Sequence, residues 1–162
     1  NRSPQRLDTL AAVAQEAGLP FEAVELNGMK DADVIITITS AFAPSLMSDH
    51  VADGVHIACM GTDTKGKQEV DASLLARASV FTDEIAQSVS IGEAQHAVAQ
   101  GLIAEADVAQ LGAVINGAHP GRTSAEQITL FDGTGVGLQD LAVASSVVEL
   151  AVKQGIAIEV DF

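Results

Sequence analysis

The sequence has no Trp and no Tyr, a single Cys, and only 8 basic residues against 22 acidic ones. With aromatic side chains at 3%, the apolar content of 48% rests mainly on Ala, Val, Leu and Ile, which suits close packing of helices on a sheet. The lone Cys59 excludes an internal disulfide and is typical of a reducing cytoplasm. The net charge of −14 and the lack of a basic stripe argue against nucleic acid or an anionic membrane surface as a partner.

Long apolar runs are also missing. The longest uncharged stretch, residues 34–48, contains Pro and several hydroxyl residues and is too short and polar to span a bilayer. A length of 162 residues is enough for one domain with a real core. Because the chain opens on "NRSPQRLDTLAAVAQEAG" without a Met, we interpret it as part of a longer polypeptide.

Short β-branched or alternating runs alternate with helical spacings along the chain. Strands are predicted over residues 20–26, 31–40, 55–60, 79–83, 128–132 and 156–162. Helices are predicted over residues 4–17, near 70–78, in broken form from 84 to 117, and over 136–154. This alternation predicts an α/β fold with a parallel sheet, right-handed crossovers and flanking helices.

The third predicted strand ends in "GTDTKGKQEV", a polar turn that contains Gly61, Asp63, Lys65 and Lys67. Ligands of open α/β sheets bind beyond the carboxyl ends of the strands, so chemistry is expected at this turn. Asp63 could pass a proton to or from a nitrogen while hydride moves at a carbon. Its ordinary pKa of about 3.9 would then have to rise toward neutrality, for which burial against cofactor and substrate is the usual means. A turn aspartate bonded to its own backbone, beside solvated lysines, is the structural alternative.

Two other strand ends carry polar residues. "NRS", Asn1 to Ser3, would match the ribose site of a dinucleotide-binding fold if it follows a strand, and Arg2 would then favour NADP over NAD. An exposed arginine at a chain terminus is the alternative. "TITS", residues 37–40, could bond a ribose or phosphate, or could merely cap the following turn.

The stretch "DGTGVG" begins at Asp132 and leads into the last predicted helix. Leu138 stands where a dinucleotide fingerprint needs its third glycine, so the match is poor. The free N–H groups of this glycine-rich entry could hold a carboxylate or the cofactor. A strand-to-helix turn that needs a positive φ is the alternative.

Other reactive residues show no catalytic pattern. The four histidines lack metal-ligand spacing, so no metal is expected. Cys59 lies on an apolar strand and is interpreted as a buried, inert thiol. Arg122 could reach a phosphate, although a loop arginine is usually solvated.

Taken in order, "DVIITITS", "GTDTKGKQEVD", "ASVFTD", "GEAQHA" and "PGRTSAEQITLFDGTGVGLQDLAVAS" strongly resemble the ornithine cyclodeaminase and mu-crystallin family. The resemblance covers the C-terminal half or so of a typical member. It implies a Rossmann-type domain over residues 1–135 that lacks its glycine-rich phosphate turn. It also implies that residues 136–162 pack on an N-terminal substrate and dimerisation domain, which would make the protein a homodimer.

The resemblance further implies an NAD(P)-dependent enzyme that acts at the carbon–nitrogen bond of an imino or amino acid. Asp63 matches the acid–base aspartate of the family, and Lys67 matches a lysine near the cofactor. Matching cofactor positions are Asn1, Arg2, Ser3, Thr39, Met60, Gly61, Thr62, Asp63, Lys67 and Gly133, whereas Thr134 and Gly135 match substrate-side positions.

One departure from the family pattern reduces the number of candidate substrates. Cyclodeaminases usually read Asp-Ser-Val-Gly where this chain has Asp132 followed by Gly-Thr-Gly, which looks more like pyrroline-2-carboxylate reductases and alanine dehydrogenases. We therefore expect a cytoplasmic reductase of a cyclic imino acid that uses NADP or NAD. Ornithine cyclodeamination, alanine dehydrogenation and non-catalytic nucleotide binding are the alternatives, although Asp63 argues against a crystallin-like binder.

Overall fold

A computed structural model describes residues 6–160. The strands are β1 (Val34–Thr37), β2 (Phe42–Leu46), β3 (His56–Cys59), β4 (Gln68–Val70), β5 (Ser79–Thr82), β6 (Val108–Gln110) and β7 (Thr129–Asp132). The α-helices are α1 (Leu7–Glu16), α2 (Ala72–Arg77), α3 (Ile85–Ser88), α4 (Ala94–Ala99), α5 (Leu111–Ile115) and α6 (Gly137–Gln154). Short 3-10 helices cover Leu26–Asp31, Ser48–His50 and Glu105–Asp107.

Five strands form one sheet in the order β1-β3-β7-β5-β6, and every pairing in it is parallel. Parallel neighbours need crossover connections, which is why helices and loops separate these strands along the chain. The predicted α/β fold with a parallel sheet and flanking helices is therefore confirmed.

The core lies around the two middle strands, β3 and β7. Ile57, Cys59 and Leu130 on these strands are fully buried. They belong to one hydrophobic cluster with Leu74 and Leu75 of α2. Small residues bring α4 close to the sheet, since its Ala94 and Ala97 are also fully buried. Packing by Ala, Val, Leu and Ile, without large aromatics, matches the composition.

A second, two-stranded sheet joins β2 and β4, with an irregular register between Phe42 and Leu46. The sequence patterns missed both of these strands, and they also missed β6 inside a region predicted to be helical. All three are short, and β4 carries the buried acid Glu69, so none shows a sustained apolar run.

Two predicted strands are wrong over the described residues. Residues 20–26 form no strand and lead into a 3-10 helix, and residues 156–160 form none after α6. Alternation of side chains indicates a strand, but a strand also needs a hydrogen-bonded neighbour. Neither segment pairs with another described part of the chain.

Helix α6 is 18 residues long, and within the described chain it buries none of its side chains. Its exposed large apolar residues are Leu138, Leu141, Val143, Val147, Val148, Leu150 and Val152. Exposed apolar patches of this kind are typical of surfaces that take part in interactions. Across residues 6–160, no helix is long and apolar enough to cross a membrane.

Candidate functional site

The carboxyl ends of β1, β3 and β7 lie side by side. Thr37 is in register with Cys59, and Cys59 with Asp132, so the three strands end level with one another. The turns that follow therefore share one edge of the sheet, where ligands of parallel sheets bind. A Cβ added to Gly133 would lie 2.8 Å from the sulfur of Met60, so the turns after β3 and β7 touch.

This edge brings together nine of the predicted site residues: Thr39, Met60, Gly61, Thr62, Asp63, Lys67, Gly133, Thr134 and Gly135. Each lies on a turn after β1, β3 or β7, or on the loop that leads to β4. Asn1, Arg2 and Ser3 fall outside the described residues. Not all of these nine residues have polar groups that a ligand could contact. Several of those groups already form hydrogen bonds within the protein.

Asp63 and Lys67 form an ion pair at the rim of this edge. The Lys67 Nζ donates to Asp63 Oδ1 at 2.6 Å, and the Asp63 side chain is 62% exposed against 16% for Lys67. The hydrogen bonds that Lys67 and then Thr64 donate lower the pKa of the Asp63 carboxyl. In this chain the carboxyl is exposed and its pKa lies below the ordinary value, and the rise toward neutrality on burial against cofactor and substrate stays a prediction. Asp63 is an ionised, accessible carboxylate, and Lys67 is not a freely solvated lysine.

The turn after β3 lies tightly against the end of β1. A Cβ at Gly61 would collide with the backbone oxygen and nitrogen of Thr39, so only glycine fits. The neighbouring Thr62 is fully buried, and its hydroxyl donates to the Glu93 carboxylate at 2.5 Å. Its side chain is thus occupied, and of the predicted coenzyme residues on this turn Met60 and Asp63 are the accessible ones.

Two buried glutamates lie beneath these turns. Glu69 on β4 accepts hydrogen bonds from the backbone N–H of Thr39 and of Gly61, the latter at 2.8 Å. Glu93, just before α4, accepts from the backbone N–H groups of Glu69 and Val70 at 3.0 and 2.8 Å. Burial raises the pKa of Glu93 above its usual range, although the hydrogen bonds from Thr62, Val70 and Glu69 oppose that shift.

A third buried acid, Asp132, ends β7. Its Oδ2 accepts from the Ser88 hydroxyl at 2.5 Å and from the Glu93 backbone N–H at 2.8 Å, while its Oδ1 is buried without a partner. Desolvation raises the pKa of Asp132 to about 7, with the nearby negative charge of Glu93 adding to the shift. Asp132 is therefore largely protonated below about pH 6, a state that suits a buried carboxyl with one unpartnered oxygen.

The glycine-rich turn after β7 holds a carboxylate, that of Asp83. Asp83 Oδ2 accepts from the Gly135 N–H at 2.7 Å, and Oδ1 accepts from the Thr134 hydroxyl at 2.7 Å and its N–H at 3.2 Å. Partial burial disfavours the charge, yet these hydrogen bonds hold the pKa of Asp83 below its usual range. Gly135 has a φ of 76°, which agrees with the alternative interpretation of this stretch as a strand-to-helix turn that needs a positive φ. These two N–H groups are therefore occupied by Asp83.

The remaining polar candidates have structural roles. Arg122 donates to the Gly54 carbonyl at 2.7 Å and to the Thr129 hydroxyl at 2.9 Å, at the opposite edge of the sheet. Cys59 is fully buried, and desolvation raises the pKa of its thiol well above the usual range, as expected of an inert cysteine. Within residues 6–160, no three His, Cys, Asp or Glu side chains are placed to hold a metal ion.

Sequence patterns alone missed Glu69, Glu93 and Asp83. Glu69 and Glu93 fall in quoted motifs, "GKQEVD" and "GEAQHA", but acids are normally solvated and nothing in their spacing indicates burial. Only pairing with partners distant in sequence distinguishes such an acid from a surface one.

The arrangement suits a dinucleotide coenzyme. The edge offers a crevice-side turn with a glycine that admits no side chain, an exposed Met60, and a charged pair at its rim. Parallel sheets bind dinucleotides at this edge through close backbone approach. The residues present therefore fit such a group, and Asp63 would offer it an exposed carboxylate.

Comparison with known proteins shows which family and which enzymes this chain is similar to. The sequence model of the ornithine cyclodeaminase/mu-crystallin family matches residues 1–155. An iminosuccinate reductase of Paracoccus denitrificans is 63% identical over 162 residues, which cover 99% of this chain and 50% of that protein. Its crystal structure in complex with NAD+ superposes with a TM-score of 0.94, again over 99% of this chain and 50% of the other.

Two further relatives are more distant. An alanine dehydrogenase of Archaeoglobus fulgidus is 40% identical over 131 residues, covering 80% of this chain and 41% of that protein. A Delta(1)-pyrroline-2-carboxylate reductase of Bacillus cereus is 32% identical over 168 residues, covering 100% of this chain and 51% of that protein. The chain thus spans about half the length of the relatives it matches.

Proposed function

This chain belongs to the ornithine cyclodeaminase/mu-crystallin family, and on that premise we propose that the complete polypeptide is a nicotinamide-dependent imino-acid reductase whose substrate is iminosuccinate. The observation that carries the proposal is the 63% identity with an iminosuccinate reductase over 162 residues, which cover 99% of this chain. This substrate is an open-chain dicarboxylic imine, so it revises the cyclic imino acid expected from the glycine-rich turn.

The coenzyme we propose is NAD(H), with the NADP favoured by Arg2 as the alternative. Its support is the NAD+ complex of the 63% identical relative, which superposes on this chain at a TM-score of 0.94. When bound, the dinucleotide supplies the hydride that reduces the imine carbon. Thr39, the turn Met60–Asp63 and Gly133 would line it, and Thr134 and Gly135 would lie on the substrate side.

The charge state of Asp63 determines its proposed role. Because Lys67 holds it ionised, Asp63 would accept a hydrogen bond from the protonated imine nitrogen and stabilise its positive charge. A positively charged imine is the better hydride acceptor, and the electron pair of the C=N bond then stays on nitrogen as a neutral amine forms. Lys67 would keep the carboxylate oriented, with its Nζ also 3.4 Å from the Gly61 carbonyl.

The apolar face of α6 supports a proposal on assembly. We propose that residues 136–162 pack on a segment of the complete polypeptide outside this chain, and that the protein is a cytoplasmic homodimer. The exposed residues of α6 would be covered in that way. A structure of an archaeal alanine dehydrogenase dimer with bound NAD, 34% identical to this chain, supports the dimer, and the single reduced Cys59 supports the compartment.

The test is reductant consumption by the complete polypeptide. Iminosuccinate formed in place from oxaloacetate and ammonia should support steady NADH oxidation with aspartate as product, whereas pyrroline-2-carboxylate should give much less. Steady turnover of pyrroline-2-carboxylate without turnover of iminosuccinate would show instead that the substrate is a cyclic imino acid. Ammonia released from ornithine with NAD and without net reductant would instead make the protein a cyclodeaminase.

Replacement of Asp63 separates catalysis from binding. Asp63→Asn should lower turnover by on the order of 10²-fold or more and leave NADH affinity near the wild-type value. Asp33→Asn, which removes an exposed acid before β1, is the charge-matched control and should leave both unchanged. A loss confined to NADH affinity would make Asp63 a coenzyme-positioning residue instead.

A further inference from the structure

We propose that Glu69 is a positioning residue that sets the turn facing the coenzyme, an inference that rests on the proposed function. Its carboxylate is fully buried on β4 and accepts hydrogen bonds from Thr39 and Gly61, which extend beyond β1 and β3. One side chain from a third element thus holds the ends of two neighbouring strands. The distance between these two turns across the crevice is therefore determined by Glu69.

A carboxylate is the side chain that these partners require. The two backbone N–H groups and the Thr37 hydroxyl, 3.0 Å from Oε2, all point donors at one small region. An ionised carboxylate has two acceptor oxygens and no donor, so it satisfies all three. An amide at the same place would turn one N–H donor against another, and one backbone group would be left without a partner.

Close packing shows that the held position is a narrow one. Gly61 lies so near Thr39 that a Cβ on it would also come within 2.7 Å of Glu69 Oε1. The turn therefore lies against the end of β1 with no room for a side chain, and the hydrogen bond to the carboxylate holds it there. Asp63 follows two residues later, so its carboxylate is carried on the segment that Glu69 anchors.

Glu93, a second buried glutamate, forms similar hydrogen bonds on the side of the site near β7. It binds the backbone N–H groups of β4, including that of Glu69 itself, and it also holds the hydroxyl of Thr62. Its own N–H donates to Asp132 at the end of β7. Three buried acids in succession thus connect the ends of β7, β3 and β1, with Glu69 at the end that meets Thr39 and Gly61.

The competing interpretation is that Glu69 merely stabilises the fold. Amide hydrogen exchange separates the two, because it needs no coenzyme and reports single residues. In the wild-type complete polypeptide, the amides of Thr39 and Gly61 should be protected as strongly as those of β3, although both lie outside any strand. Exchange of these two amides at the rate of an open loop would overturn the proposal without any variant.

The variant is Glu69→Gln in the complete polypeptide. We expect the amides of Thr39 and Gly61 to exchange at least about tenfold faster while those of β3 and β7 keep their rates, and NADH affinity measured by fluorescence titration to fall on the order of tenfold. Glu126→Gln is the matched control, since it makes the same replacement at an exposed glutamate outside this edge of the sheet and should change NADH affinity by less than about twofold. Uniform acceleration of exchange across the sheet, or unchanged affinity with a loosened turn, would refute a positioning role.

Failure of this proposal is distinguishable from failure of the proposed function. If the wild-type protein binds neither NADH nor NADPH, the proposed function is wrong, and Glu69 then positions no coenzyme turn. If the wild-type protein binds and turns over its substrate but Glu69→Gln matches it in exchange and in affinity, only the role of Glu69 is wrong. The pattern that supports both is wild-type turnover together with selective loosening and weaker binding in the variant.

Discussion

Replacement of Asp132 by Asn should change how the stability of the protein depends on pH. The pKa of Asp132 is raised from an ordinary 3.8 to about 7 because the side chain is buried, with one oxygen unpartnered and Glu93 nearby. The folded state therefore keeps a proton that the unfolded chain releases at lower pH. The stabilisation from this group is fully present below about pH 4 and is lost as the pH rises through about 7.

The magnitude follows from the size of the shift. A difference of about 3 pKa units corresponds to roughly 4 kcal/mol at about 1.4 kcal/mol per unit, which is an order-of-magnitude figure for a buried group. Asp132 should therefore lower the free energy of unfolding of the wild type by up to about 1.4 kcal/mol per pH unit between about pH 4 and 7. Asn cannot ionise, and its amide oxygen can still accept from Ser88 and from the N–H of Glu93.

The assay is urea unfolding of wild type and Asp132→Asn across about pH 5 to 8, with Asp33→Asn as the exposed-acid control. The variant should gain stability relative to wild type as the pH rises, by roughly 2.5–3 kcal/mol at about pH 8 compared with about pH 5, since the contribution changes over about two pH units in this range. The Asp33→Asn control shows how much the loss of one negative charge changes stability when the acid is exposed. A stability difference between wild type and Asp132→Asn that stays constant over this range would refute a raised pKa at Asp132.

Two further predictions concern the arginines. Arg122→Ala should lower the free energy of unfolding by roughly 1–2 kcal/mol, because Arg122 joins Gly54 to Thr129 at the amino ends of β3 and β7. NADH affinity should be unchanged, and a fall in affinity at equal stability would place Arg122 in the site after all. Arg2→Ala should weaken NADPH binding by roughly 1.5–3 kcal/mol and spare NADH if Arg2 reads a 2′-phosphate. Fluorescence titration with both coenzymes decides this, and equal losses for the two would reject that role.

Most of the sheet could be predicted from local pattern. The runs that became β1, β3, β5 and β7 are apolar or β-branched, and such runs indicate buried strands because parallel sheets are covered on both faces. The segment over residues 20–26 has the same alternation but no partner among the described residues, so pattern alone overestimated it. Strands β2, β4 and β6 contain Pro44, Glu69 and Gln110, respectively, so no apolar run marks them, and they form because neighbouring backbone is available to them.

The sequence by itself determined that polar turns follow the central strands, and the parallel order of those strands brings Asp63, Lys67 and the glycine-rich turn to one edge. It did not determine what each polar group meets there. Thr39 meets Glu69, Thr62 meets Glu93 and Thr134 meets Asp83 across separations of 30, 31 and 51 residues. The tertiary structure decided that Asp63 pairs with Lys67 and that Thr62 is buried. The physical reason is that hydrophobic period and turn chemistry act over a few residues, whereas burial and hydrogen bonding of an acid depend on which distant segments the fold places around it.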